Sequence, residues 1–263
     1  MTTASTSPGR HEVERPDPDP RALDGDRPAR EDKARWEQRS RIVLTPVAAP
    51  SILGLFGFAV ATFMVASNLA GWWGDPVTSP VIIAPFALFF GGLGQLLAGM
   101  WAYRARDAVA TAMHGAWGTF WLGWGLLVLL ITVGALPPAV LTSQAFGFWF
   151  IGLTVVTLFG TAAAAFDNLA LTATLGLLTV GAALLAIGLV AGLTILVTLG
   201  GWVLVASAVA AFYTAGALML SQAAGGRVVL PLGARVAGAD TPGTRVGEPI
   251  EYAGGMPGAK VGQ

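Results

Sequence analysis

The 263-residue chain carries 15 basic and 15 acidic residues, so its formal net charge is zero, and it contains no cysteine although 54% of its residues are hydrophobic. Disulfides, thiolate metal sites and a cysteine nucleophile are thereby excluded, and basic residues that cluster on no hydrophobic segment leave no electrostatic case for nucleic-acid binding. Eighteen charges fall in residues 1–41, whereas residues 42–226 hold only Asp75, Arg104, Arg106, Asp107 and Asp167. Soluble proteins place about a quarter of their residues in charged types, so the middle of this chain has to face lipid.

Residues 1–41 read as a disordered charged tail, rich in Pro, Asp and Arg and too poor in large apolar residues to offset the entropy of folding. No secretory signal precedes Ile42, and the first membrane helix is expected to act as its own insertion signal. Residues 42–226 read as an all-α transmembrane domain. Residues 227–263 read as a cytoplasmic C-terminal tail.

About 20 apolar residues cross the ~30 Å hydrocarbon layer as a helix, and that ruler divides the domain into six spans. The first, 52–71, ends at Trp72-Trp73-Gly74-Asp75-Pro76, whose indoles suit the headgroup level. The second, 81–100, ends at Tyr103, Arg104 and Arg106. The third, 109–136, is capped by Asp107 and stopped by Pro137-Pro138. The fourth covers 146–166, the fifth 169–190 and the sixth 197–220, with an apolar linker at 191–196 between the last two.

Arg35, Arg39 and Arg41 precede span one, Arg104 and Arg106 follow span two, and Arg227 and Arg235 follow span six. The loops after spans one, three and five carry no basic residue. The positive-inside rule therefore puts both termini in the cytoplasm, which requires an even number of crossings. Small residues recur in Gly91-Gly92-Leu93-Gly94-Gln95-Leu96-Leu97-Ala98-Gly99 and in Gly115-Ala116-Trp117-Gly118, a spacing that lets helices approach closely or frame a narrow pore.

The sequence holds no Walker loop, Gly-x-Ser-x-Gly elbow, His-Glu-x-x-His pair or dinucleotide fingerprint, so neither an enzyme nor a bound cofactor or metal is expected. Polar groups inside the bilayer are few enough to weigh singly. His114 shares a helical face with Trp117, three residues on. There it can carry a proton or offset a passing carboxylate, or it can be a neutral imidazole bonded to another helix. Gln95 lies mid-membrane, where its amide can donate to a carboxylate or join two helices. Asp107 reads as a helix cap and Asp167 as a loop charge.

Four segments then acquire a common meaning: Leu53-Gly54-Leu55-Phe56-Gly57-Phe58, Gly91-Gly92-Leu93-Gly94-Gln95, Trp117-Gly118-Thr119-Phe120-Trp121-Leu122 and Gly226-Arg227-Val228-Val229-Leu230-Pro231-Leu232-Gly233. In this order and spacing they resemble the acetate uptake transporters, a family of six-helix membrane proteins, over residues 49–233. The family's first-helix signature, Asn-Pro-Ala-Pro-Leu-Gly-Leu, corresponds here to Ala49-Pro50-Ser51-Ile52-Leu53-Gly54-Leu55, without the Asn and the second Pro. Ala102 stands where a glutamate is common, and Trp117 where the bacterial permeases have a tyrosine.

The resemblance implies a hydrophobic constriction formed by Phe58, Trp117 and Leu178, with Leu53, Gly54, Gln95 and His114 along the substrate path. It implies a homohexamer in a plasma membrane, the inner membrane of a bacterium, carrying acetate and with it succinate, as a proton-coupled symporter or a channel. An apolar throat suits such a solute, since a small acid sheds its charge on protonation and a few neutral donors lower the cost of the rest. The alternatives are a transporter of another small metabolite such as ammonium, and a non-transporting sensor or scaffold whose tail recruits a partner.

Overall fold

Pro50 stands in the first turn of the first helix of the computed structural model, which describes residues 47–75 and 78–235. A proline costs little there because the first backbone N–H groups of a helix have no intrahelical acceptor. That helix, α1 (Pro50–Leu69), gives way at Gly71, whose φ of 79° suits a residue without Cβ. The turn beyond is tied back to the helix: Asn68 Nδ2 donates to the Trp73 carbonyl at 2.8 Å, and the Trp73 indole donates to Ser67 Oγ at 2.9 Å. The N-terminal tail, Arg35, Arg39 and Arg41, and all of the C-terminal tail beyond residue 235 lie outside the described residues.

α2 (Ser79–Ala105) is longer than the expected 81–100 and is not uniform. Pro85 lies inside its first, α-helical part, Ser79–Phe86; residues Ala87–Gly94 are wound as a π-helix, and α-helix resumes over Gln95–Ala105. A proline within a helix removes one i→i−4 bond and crowds the carbonyl four residues back. The wider winding that follows rotates the rest of α2 against its neighbours. Hydropathy carries no trace of it.

Asp107 caps α3 (Ala108–Thr132), its Oδ1 accepting from the Ala110 N–H at 2.8 Å. The helix stops short of the expected 136, because Gly134 turns left-handed at φ 76° ahead of the prolines. Pro138 then begins a short 3-10 helix, Pro138–Thr142. Ser143 caps α4 (Gln144–Ala164), and Asn168, accepting from the Leu171 N–H at 2.8 Å, caps α5 (Leu169–Ala191). The linker expected at 191–196 shrinks to Gly192 and Leu193, since Gly192 at φ 68° reverses the chain at once into α6 (Thr194–Ala223). Six helices of this length and apolarity can each cross a membrane.

Each helix packs on its chain neighbours, and α6 returns to pack on α1. Glycines set the closest approaches. A Cβ on Gly99 of α2 would fall 2.9 Å from the Gly115 nitrogen of α3, one on Gly118 would fall 2.7 Å from the Leu96 nitrogen, and one on Gly201 of α6 would fall 2.7 Å from the Ala70 nitrogen beside α1. Backbones this near gain the dispersion contacts that hold helices together in lipid.

The bundle exposes apolar side chains such as Phe89, Phe159, Ile195 and Val209, and it buries several hydroxyls. Buried Thr157, Thr174 and Thr214 donate to the carbonyls of Leu153, Ala170 and Ala210 at 2.6, 2.9 and 2.8 Å. Buried Ser207 donates across to the Thr174 carbonyl at 2.8 Å. After α6 the chain folds back over the start of α5: the Leu169 and Ala170 N–H groups donate to the Gly233 and Leu232 carbonyls at 3.0 Å each. The Tyr213 hydroxyl donates to the Pro231 carbonyl at 2.7 Å. The run 226–233 thus serves helix donors that would otherwise lack partners.

Candidate functional site

α1 and α3 run parallel with α2 antiparallel beside them, and three levels of contact are matched along them. Gly54 faces His114, Phe58 faces Trp117, and Ala61 and Trp121 meet at Gly91. The spacing of three to four residues between levels is the helical repeat, so all three face one side of each helix.

At the middle level the Phe58 and Trp117 rings meet edge-on, with centroids 6.3 Å apart and planes at 71°. They are 3% and 4% exposed. Edge-to-face contact sets the positive rim of one ring against the negative face of the other, which fixes their mutual orientation. Trp117 is also pinned from α4: its Nε1 donates to Thr157 Oγ1 at 3.0 Å, and the Thr157 hydroxyl in turn donates a hydrogen bond to the Leu153 carbonyl. Phe120 stacks edge-on against Trp117 at 5.2 Å, Trp121 at 5.0 Å and Phe150 at 5.5 Å, making an aromatic wall between α3 and α4. Leu178 of α5 is 1% exposed and belongs to the same buried apolar cluster as Phe58 and Trp117.

Gly54 leaves just enough room for the His114 imidazole, onto which a Cβ would fall. Gln95 opens the last α-helical stretch of α2 and is fully buried. Its backbone N–H goes to the Gly92 carbonyl and its side-chain amide to the Gly91 carbonyl at 2.9 Å. Its Cγ would lie 3.5 Å from a Cβ on Gly57, so it sits between α2 and α1. The structure therefore brings Phe58, Trp117, Gly54 and His114 onto one α1–α3 seam, with Gln95 beside it and Leu178 in the shared core. Leu53 is 49% exposed, and its Cδ1 lies 4.0 Å from the place of a Cβ on Gly94 of α2, next to Gln95.

Charges stay at the helix ends, with Asp75 after α1, Arg104 to Asp107 between α2 and α3, and Asp167 between α4 and α5. Among the described residues no group of three or more His, Asp or Glu could hold a metal ion. The interior offers neutral donors and apolar surface. Such a lining can hold a small polar solute by hydrogen bonds without fixing it by charge. Sequence reasoning missed Thr157, Phe120, Phe150 and Trp121. The run Trp117, Phe120, Trp121, Trp124 at helical spacing was the signal for the wall, whereas nothing local marks Thr157 as the partner of Trp117.

The profile of the GPR1/FUN34/yaaH family matches residues 38–229 of the chain. The succinate-acetate/proton symporter SatP of Escherichia coli strain K12 is 30% identical over 191 residues, 72% of this chain and 97% of that protein. Ammonia transport outward protein 2 of Saccharomyces cerevisiae is 35% identical over 82 residues, 31% of this chain and 28% of that protein. The solved structure of the bacterial acetate channel SatP matches with a TM-score of 0.65 at 29% identity, covering 71% of this chain and 99% of that one.

Proposed function

Because the chain belongs to the GPR1/FUN34/yaaH family, we propose that it carries small monocarboxylates across a membrane, acetate first and succinate with it, together with protons. It is a multi-pass membrane protein. The observation that carries the reading is the buried Phe58–Trp117 pair in an uncharged interior. Phe58, Trp117 and Leu178 form the narrowest part of the passage, and ions that keep their water are too large and too costly to pass it. A small acid crosses because protonation removes its charge. Gln95 and His114 supply neutral or protonated donors on the way.

Both termini lie on the cytoplasmic side, with Arg104, Arg106, Arg227 and Arg235 at that end of the bundle. Six copies assemble through faces outside this seam, each with its own passage. Labelled acetate should enter proteoliposomes faster than it enters protein-free vesicles at the same pH, and the protein-dependent part should grow when the outside is more acidic. Absence of uptake, together with no competition by any small carboxylate, refutes the reading. The likeness to the yeast ammonia protein supports one rival, ammonium, which the same vesicles test by competition.

A further inference from the structure

Two buried polar atoms close to the Phe58–Trp117 pair have no hydrogen-bond partner: Thr62 Oγ1 and Trp121 Nε1. Thr62 lies four residues beyond Phe58, and Trp121 four beyond Trp117. On parallel helices both are thus about 6 Å further along, on the same faces as the pair. Gly91 places Trp121 beside Ala61, the residue before Thr62. A Cβ there would meet the Ala61 Cβ at 2.6 Å and Trp121 Cγ and Cδ1 at 2.7 and 2.9 Å. The edge of the indole that bears Nε1 therefore lies against Gly91 of α2, close to Ala61 of α1.

Thr62 departs from its kind. The other three buried threonines each donate to the carbonyl one turn back, the ordinary resort of a hydroxyl in an apolar helix. Thr62 makes no such bond to Phe58. An unmet donor in a dry interior is costly, and a native structure keeps one where something else is to fill it. The third such atom, Ser221 Oγ, stands alone near the end of α6.

We infer that Thr62 and Trp121 together hold the carboxyl group of the permeant one helical turn beyond the Phe58–Trp117 pair. The indole N–H donates to one oxygen. The Thr62 hydroxyl donates to the other oxygen of a carboxylate, or accepts from the O–H of the protonated acid. Both forms of the solute are served without a fixed charge. An indole N–H can only donate, so ammonium, itself only a donor, finds no acceptor at Trp121. The site consequently selects acids over the rival cargo.

The inference rests on the carboxylate-transport reading, and two measurements separate their failures. In acetate-uptake assays on proteoliposomes, Thr62→Val and Trp121→Phe should each raise the half-saturating concentration about tenfold, as loss of a hydrogen bond to a charged group does. Thr62→Ser, which keeps the hydroxyl, should stay near wild type. In 15N-tryptophan-labelled protein, the indole resonance missing from Trp121→Phe should move when sodium acetate is added and stay fixed with ammonium chloride. A wild-type protein that takes up no acetate and shows no shift overturns both ideas. Normal uptake, with both variants at wild-type half-saturation and the resonance unmoved, overturns this one alone. Should Trp121→Phe not fold, the Thr62 variants decide: Thr62→Val indistinguishable from wild type refutes the site.

Discussion

Gly54 and His114, sixty residues apart in the chain, are fitted to one another: any Cβ at position 54 would occupy the space of the imidazole. The fit joins α1 to α3 at the level next to the Phe58–Trp117 contact.

Gly54→Ala should therefore destabilise the protein by about 1–3 kcal/mol, the usual cost of overpacking a filled site. His114→Ala in the same chain should return most of that loss, because the two sites share one volume. Thermal unfolding of the detergent-solubilised protein measures both. A Gly54→Ala midpoint equal to wild type would show that the seam relaxes freely.

Trp117 is held by one hydroxyl, so Thr157→Val should leave a buried indole N–H unsatisfied and lower stability by about 1–3 kcal/mol. Trp117→Phe, which removes the donor, should cost less in the Thr157→Val background than in wild type. Equal costs in the two backgrounds would mean that the bond contributes nothing.

Phe58→Ala and Leu178→Ala should each open the narrow part of the proposed passage. Acetate flux is expected to rise about tenfold, equivalent to roughly 1.4 kcal/mol from the barrier, with poorer exclusion of larger acids. Initial rates in proteoliposomes provide the check. Unchanged flux in both variants would remove these residues from the constriction.

The α2–α3 interface has no room at Gly99, against the Gly115 backbone, whereas Gly123 of α3 faces open space. Gly99→Leu should thus cost about 3 kcal/mol or more, while Gly123→Leu should be nearly neutral. Size-exclusion profiles and yield of the purified protein distinguish them. Equal behaviour of the pair would argue against close packing as the role of Gly99.

Residues 1–40 test the scaffold alternative. A transporter lacking them should retain wild-type acetate uptake. Loss of uptake with normal membrane insertion would give the tail a working role in the transport cycle.

Much of this was legible from local patterns. The scarcity of charge between 42 and 226 identifies lipid as the solvent, and span length follows from the thickness that a helix must cross. Asp107 as a cap needs only the next three residues, and it caps α3 as expected. Boundaries slipped where a glycine acted alone: Gly134 ends α3 before the prolines do, and Gly192 makes a two-residue connection of an expected linker. A glycine in an apolar run reads equally as packing or as a stop, since what separates them is a backbone angle rather than a composition.

The sequence by itself determined the solvent, the number of crossings and the family, because hydrophobicity, capping and motif order all act within one helix length or are counted along the chain. Only the tertiary structure decided that α2 is wound as a π-helix beyond Pro85, that Thr157 holds Trp117 and that Gly54 receives His114. These depend on how each helix is rotated about its axis and set in register with another. In lipid every face of a span is apolar, so the amphipathic stripe that reveals such rotation in a soluble helix is missing from the sequence.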